Sequence, residues 1–167
     1  DVDFIIIGGY SVIFHGYKRT TGDLDIWLKP DNLNRDKFIH ILRNNNFEDG
    51  QIDALSELDF SNHLLISMGE EPEKIDFITI INSVSFEEAN SMKIFAEFEG
   101  LKIPFLHLNH LILSKMNTGR SKDKLQNITP KWAPLNRNHW TPLSGIFNRQ
   151  GTLCFHNGII FNANCFL

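Results

Sequence analysis

The hydrophobic and polar positions at the start of the chain follow two periods, one typical of strands and one typical of helices. The run FIIIGG at 4–9 is short, apolar and rich in β-branched residues, and its glycines end it, so it predicts a strand. YSVIFHG at 10–16 has apolar residues at helical spacing and predicts a short helix that stops at Gly16. DLDIWL at 23–28 alternates polar and apolar residues and predicts a second strand.

Later segments continue this mixture of strands and helices. The remaining predicted elements are, in chain order, a helix at 33–44, a hairpin of strands at 63–68 and 74–81, a helix at 85–93, two short strands within 95–106 and a helix at 108–128. Asp31 or Asn32 can cap the first of these helices, and Ser85 with Glu88 has the spacing of a capping box. This order predicts an α/β (α+β) domain with a mixed β-sheet and flanking helices.

Asp23 and Asp25 place two negative charges inside an otherwise apolar strand. Because strand side chains alternate between faces, both carboxylates should point to the same side as Trp27. Two carboxylates about 6.5–7 Å apart repel each other in a half-buried cleft, and a divalent cation turns that repulsion into attraction. Mg²⁺ shares oxygen ligands with phosphates and water, so the pattern predicts a magnesium site. A solvated strand end is the alternative interpretation.

Asp76 repeats this arrangement in KIDFITII, where an acidic residue again lies between apolar residues of a strand. If that strand pairs beside DLDIWL, Asp76 completes a cluster of three carboxylates with Asp23 and Asp25. Such a cluster can hold two metal ions about 3.5–4 Å apart, which activate an attacking oxygen and stabilise the leaving one. The prediction of a metal site therefore depends on where Asp76 lies in the fold.

Gly8 and Gly9 lie where the first strand gives way to the first helix. Glycine lets the backbone approach a ligand closely, and a helix N-terminus offers free N–H groups to a phosphate. Ser11 can add a hydroxyl donor or simply cap the helix, and Arg19 can contact a phosphate or pair with an acidic residue. An anion site beside a metal site predicts binding of a nucleoside triphosphate.

Composition narrows the class of protein without changing this picture. A chain of 167 residues is long enough for one ordinary domain, and with 42% hydrophobic residues it can bury a real core. The formal net charge of −4 argues neither for nor against a nucleic-acid partner, and no basic stripe raises that expectation. No apolar run suits a membrane span, and two cysteines make neither a disulfide framework nor a metal quartet. We therefore expect a cytoplasmic protein without a membrane partner.

Residues 129–167 form an atypical tail, rich in aromatic residues and asparagine. All 20 acidic residues of the chain precede position 131. The last part, GTLCFHNGIIFNANCFL, predicts one or two strands around the turn HNG. We therefore divide the chain into a domain at 1–128, whose C-terminal helical part is 107–128, and this tail. Added strands, an interface arm and a non-native extension are three interpretations of the tail.

Three segments together resemble a known family. GGYSVIFHGYKRTTGDLDI, then KIDFI, then LILSKMNTGRSKDKLQNI resemble the nucleotidyltransferase superfamily of the DNA polymerase β type. The nearest likeness is to the small bacterial nucleotidyltransferases of the minimal and abortive-infection toxin type, and it covers about residues 3–128. The resemblance implies transfer of a nucleoside monophosphate from an NTP to an acceptor hydroxyl, with two Mg²⁺ ions and release of pyrophosphate. RNA, a protein and a small molecule are all open as the acceptor, and a homodimer or a toxin–antitoxin partner is open as well.

The resemblance also implies a role for each acidic residue. Asp23 and Asp25 would ligate both metal ions, while Asp76 would ligate one and help to deprotonate the acceptor hydroxyl. The triphosphate would be held at the strand–helix junction, by Gly8, Gly9 and Ser11.

The downstream segment KMNTGRSKD supplies further candidates. Lys115 and Arg120 would reach the nucleotide or the acceptor, and Asp123 would do so too or would pair with a neighbour and fix the helix. A solvated helix face is the alternative interpretation of all three charges. His107 and His110, three residues apart, could ligate a metal, but no third ligand lies nearby in sequence, and ordinary surface or core histidines are the favoured interpretation.

Two other functions fit parts of the sequence. A catalytically inactive nucleotide-binding module, or one half of a toxin–antitoxin pair on the same fold, would account for the tail. A sugar-nucleotide glycosyltransferase also binds a metal diphosphate through a D-x-D pattern, although the short chain and the early position of DLD count against it.

Overall fold

The computed structural model describes residues 2–45, 47, 49–69, 74–98, 100–116, 152–154 and 160–162. The strands of the main sheet are β1 (Phe4–Ile6), β2 (Leu24–Leu28), β3 (Leu65–Met68), β4 (Ile75–Ile78), β5 (Ile94–Phe98) and β6 (Leu101–Phe105). The helices are α1 (Gly8–Phe14), α2 (Asn32–Asn44), α3 (Asp49–Ser56), α4 (Phe86–Met92) and α5 (Leu108–Met116). None of these described helices is both long and apolar enough to cross a bilayer.

The six strands form one mixed sheet in the order β3-β4-β2-β1-β6-β5. β2 runs parallel to β4, and β1 runs parallel to β6, whereas the other neighbouring strands are antiparallel. The predicted α/β class with a mixed sheet is therefore confirmed. The order also makes β2 and β4 interior strands, each hydrogen-bonded on both sides.

Helices cover both faces of the sheet, as the alternation of side chains in β2 predicts. Ile26 and Leu28 belong to a buried cluster with Phe38 of α2. Trp27 points to the opposite face and belongs to a second cluster, where its ring meets Phe86 of α4 edge-on at 5.2 Å between centroids. The strand is thus buried on both faces along most of its length, and the acidic residues at its start are the exception.

The predicted helix caps at Asp31 and Ser85 are confirmed. Asp31 accepts a hydrogen bond of 2.7 Å from the Asn34 N–H at the start of α2. Ser85 accepts one of 3.2 Å from the Glu88 N–H at the start of α4. Gly100, with φ = +86°, makes the turn between β5 and β6.

Three differences from the predicted elements are informative. Helix α3 was not predicted, because its eight residues offer little amphipathic pattern and its helical state depends on packing against α2. The first helix begins at Gly8 rather than at Tyr10, so the glycine pair forms its first turn. The predicted helix from 108 is confirmed as far as Met116, and its continuation to 128 lies outside the described residues.

The tail contributes one described feature. β7 (Thr152–Cys154) and β8 (Ile160–Asn162) pair antiparallel, with Leu153 opposite Phe161. The prediction of strands in the tail is therefore confirmed, while its HNG turn lies outside the described residues.

Candidate functional site

Asp25 and Asp76 are neighbours across the interface of β2 and β4. The parallel register pairs Asp25 with Asp76, just as it pairs Leu24 with Ile75 and Ile26 with Phe77. Neighbouring strands lie about 4.8 Å apart and paired residues point to the same face, so the two carboxylates are side by side. The condition on which the sequence-based metal site depends, that Asp76 lies beside DLDIWL, is therefore met.

Asp25 is partly buried in β2. Burial raises its pKa above the ordinary value, and the nearby charges of Asp76 and Asp23 add to the rise. A hydrogen bond from the Gly9 backbone and the positive charge of Lys115 oppose it. An acidic group held where its charge is disfavoured is a common feature of sites that bind cations or move protons.

Gly8 lies directly against Asp25. Its φ of +61° is the left-handed conformation that glycine adopts most easily. A Cβ at this position would overlap Asp25 Oδ2 and would lie 2.5 Å from Asp25 Cγ. Gly9 also has no space for a side chain, because a Cβ at this position would lie 2.7 Å from the Thr21 Cβ. The glycine pair is therefore needed to bring the first turn of α1 onto the carboxylate of β2.

Asp76 already has two polar partners within the chain. The Ser67 hydroxyl donates to Asp76 Oδ1 at 2.6 Å. The Lys74 ammonium lies 2.9 Å from Oδ1 and 3.1 Å from Oδ2. Both oxygens of this carboxylate are thus engaged by one hydroxyl and one positive charge.

Asp23 precedes β2 by one residue and shares the strand face of Asp25. In the described part of the chain, no group of three or more His, Cys, Asp or Glu residues is placed to hold a metal ion. Asp76 and Asp23 both act electrostatically on Asp25, but the three carboxylates do not form a closed ligand set. Their donor chemistry nevertheless fits Mg²⁺, because Asp25 and Asp76 offer carboxylate oxygens on adjacent strands.

The predicted phosphate contacts lie in different environments. Ser11 is fully buried, and its hydroxyl donates to the Leu106 carbonyl at 3.4 Å, so it ties α1 to the end of β6. Arg19 is exposed in the loop before β2, where its Nε donates to the Thr20 carbonyl at 3.4 Å. Lys115, in the last turn of α5, is half-buried and acts electrostatically on Asp25. The remaining candidates lie outside the described residues: Arg120 and Asp123.

Three further residues belong to the same region and were not among the candidates predicted from the sequence: Lys74, Ser67 and Tyr10. Lys74 is two residues before Asp76 and shares its strand face, so the strand period of KIDF contained a signal for it. Ser67 could be recognised only from the register of the β3–β4 hairpin, which pairs it with Asp76. Burial, and to a smaller extent the charge of Asp23, raise the pKa of Tyr10.

Three of the described histidines lie around the start of α5 rather than at the carboxylates. His15 Nε2 is 2.8 Å from the Leu106 carbonyl, and burial lowers its pKa. His107 Nδ1 accepts from the Asn109 N–H at 3.2 Å, which caps α5. His110 is buried, with its Nε2 3.4 Å from a carboxylate oxygen of Glu88. Each of the three thus has a structural contact.

Comparisons of this chain with known protein families, with curated proteins and with solved structures found no match. The functional argument therefore depends on the residues of this chain and on their placement.

Proposed function

We propose that this chain is a metal-dependent nucleotidyltransferase, which transfers a nucleoside monophosphate from an NTP to an acceptor hydroxyl and releases pyrophosphate. The observation that carries the proposal is the register of β2 and β4, which sets Asp25 opposite Asp76 beside the glycine pair of α1. The resemblance of the sequence to nucleotidyltransferases supports the same reaction. Adjacent carboxylates next to a helix N-terminus suit a nucleotide polyphosphate with its Mg²⁺.

Each carboxylate has a role in this proposal. Asp23, Asp25 and Asp76 would hold the metal, which when bound would neutralise the charge that develops on the phosphates. Asp76 would also accept the proton of the attacking hydroxyl. The hydroxyl oxygen would then form a bond to the α-phosphorus as the bond to pyrophosphate breaks.

The surrounding residues would position the nucleotide. The backbone of Gly8 and Gly9 would receive the triphosphate at the start of α1. Lys115, whose charge already acts on Asp25, would contact the phosphates or the acceptor. The domain at 1–128 would carry this activity, and the acceptor would be an RNA, a protein or a small molecule.

Incubation with labelled NTPs, Mg²⁺ and a cell lysate tests the proposal and identifies the acceptor by what becomes labelled. Asp23→Asn and Asp25→Asn should abolish Mg²⁺-dependent pyrophosphate release. Asp36→Asn is the matched control, because it removes an exposed carboxylate on α2 that pairs only locally with Arg35. Turnover that persists in the Asp23 and Asp25 variants at the level of this control would refute the proposal.

One observation favours a second candidate, an inactive nucleotide-binding module or a toxin–antitoxin partner on the same fold. The Lys74 ammonium already neutralises Asp76, as a resident cation would. A module of this kind would bind NTP in calorimetry without releasing pyrophosphate with any acceptor. Rapid pyrophosphate release would exclude it.

A further inference from the structure

Lys74 and Asp76 form an ion pair next to Asp25. Lys74 immediately precedes β4 and Asp76 is the second residue of that strand, so alternation puts both on the same face. The ammonium contacts both oxygens of the carboxylate, at 2.9 and 3.1 Å. The position a metal ion would need in order to bind Asp76 is thus next to a positive charge of the protein itself.

The backbone of Lys74 is fixed in the sheet, whereas its side chain is partly exposed. Its backbone carbonyl accepts a hydrogen bond of 2.9 Å from the Leu24 N–H, which fastens it to the start of β2. Its side chain is 29% exposed, whereas the side chain of Asp76 is 14% exposed. Lys74 is therefore the more exposed partner of the ion pair, and its ammonium is at the end of a flexible four-carbon stem.

The other contact of Asp76 has the opposite character. The Ser67 hydroxyl is neutral and donates to Oδ1 from the neighbouring strand β3. It orients the carboxylate without adding charge, so it is compatible with a cation on the remaining oxygen lone pairs. Lys74 is the group that competes electrostatically with a cation at this place.

We propose that Lys74 is an internal counter-ion for Asp76, which occupies the carboxylate in the absence of metal and is displaced when a divalent cation binds. This inference rests on the metal site of the proposed function and adds a regulatory step to it. Lys74 offsets the negative charge of Asp76, which lies beside Asp25, while no cation is bound. It also sets a threshold for metal binding, because its displacement must be offset by the contacts that the metal makes.

Substitution of Lys74 tests the competition directly, with Mn²⁺ as the probe and electron paramagnetic resonance to count free and bound ions. Lys74→Met keeps most of the stem and removes the charge, so Mn²⁺ should bind about fivefold to tenfold more tightly than to the wild type. Lys74→Arg keeps the charge and adds a bidentate fork, so the affinity should stay at or below that of the wild type.

Lys37→Met is the matched control. It removes the same charge from an ion pair with Asp3, at 3.3 Å, near the other end of β2. Its Mn²⁺ affinity should equal that of the wild type. A Lys74→Met variant that binds Mn²⁺ no more tightly than the Lys37→Met variant would overturn the inference.

Displacement of Lys74 also has a signature in the unmodified chain. Acylation of lysines, followed site by site with mass spectrometry, should become faster at Lys74 when Mn²⁺ saturates the protein and should stay constant at Lys37. Unchanged acylation of Lys74 at saturating Mn²⁺ refutes the displacement while leaving the metal site intact. Failure of both the wild type and Lys74→Met to bind Mn²⁺ refutes the metal site of the proposed function together with this inference.

Discussion

The Gly8→Ala substitution adds one methyl group where the first turn of α1 meets the carboxylate of Asp25. Gly8 has φ = +61°, a conformation that costs a residue with a Cβ about 1–2 kcal/mol. The new Cβ would lie 2.5 Å from Asp25 Cγ and would overlap Oδ2, so the carboxylate or the helix must move, at a further ~1–3 kcal/mol. We therefore expect the free energy of unfolding to fall by about 2–5 kcal/mol.

Two other glycines separate these two contributions. Gly100 has φ = +86° and no atom within 4 Å of a built Cβ, so Gly100→Ala should show the conformational cost alone, about 1–2 kcal/mol. Gly50 is helical and also has no atom within 4 Å of a built Cβ, so Gly50→Ala should leave stability unchanged or raise it by up to about 1 kcal/mol.

Urea denaturation of the three variants measures these differences. In an Asp25→Ala background, which lacks Cγ and Oδ2, the penalty of Gly8→Ala should shrink by about 1–2 kcal/mol. If Gly8→Ala costs no more than Gly100→Ala, Asp25 does not lie against Gly8, and the proposed site is built differently.

Three further substitutions test other parts of the fold and site. Burial raises the pKa of Asp25, so the charged carboxylate lowers the free energy of unfolding above that pKa, and this loss disappears at lower pH. Asp25→Asn should therefore raise the stability of the ligand-free protein at pH 7. A variant that is less stable in urea denaturation would contradict this. Burial lowers the pKa of His15, so the stability that its neutral form contributes is complete above the ordinary histidine pKa and is lost as the pH falls through the lowered pKa. Thermal melts of His15→Gln should lack this pH dependence. A pH profile identical to that of the wild type would contradict the lowered pKa of His15. The buried Asn34 amide makes hydrogen bonds of 2.8, 2.9 and 3.3 Å to the backbone beside β1 and β2. In urea denaturation, Asn34→Ala should lower the free energy of unfolding by about 2–4 kcal/mol, whereas Asn44→Ala, at an exposed position, should change it by no more than about 0.5 kcal/mol. Equal losses in the two variants would refute the role of Asn34.

The two strands that carry Asp25 and Asp76 could be predicted because each segment has its own period. Alternation in DLDIWL and KIDFITII fixed which residues share a face, and their apolar flanks indicated interior strands. The sequence did not establish that the two strands are neighbours, since strand order is decided by contacts between distant segments. The placement of Asp76 beside β2 was therefore a condition in the sequence analysis and is an observation in the fold.

Other features depend on tertiary contacts that a local pattern does not contain. Ser11 was a candidate phosphate donor because it lies in the first turn of a helix, yet the rotation of that helix directs its hydroxyl to the Leu106 carbonyl. Among the described side chains of helix α3, only Ile52 and Leu55 are buried, too few for a recognisable amphipathic period. The Lys74 contact was visible in principle from the strand period, but a lysine beside an apolar run is most often a solvated end.

The positions of β2 and β4 inside the sheet affect how the molecule opens. Backbone amides of interior strands are released to exchange with solvent only in the larger unfolding events, whereas edges and loops open locally. Asp25 and Asp76 are each borne by such a strand, so their mutual spacing should persist through local openings of α1 or of the β3 edge. When a ligand binds, the side chains of this site and the junction between β1 and α1 should therefore adjust. The backbone of β2 and β4 should keep its conformation as long as the protein stays folded.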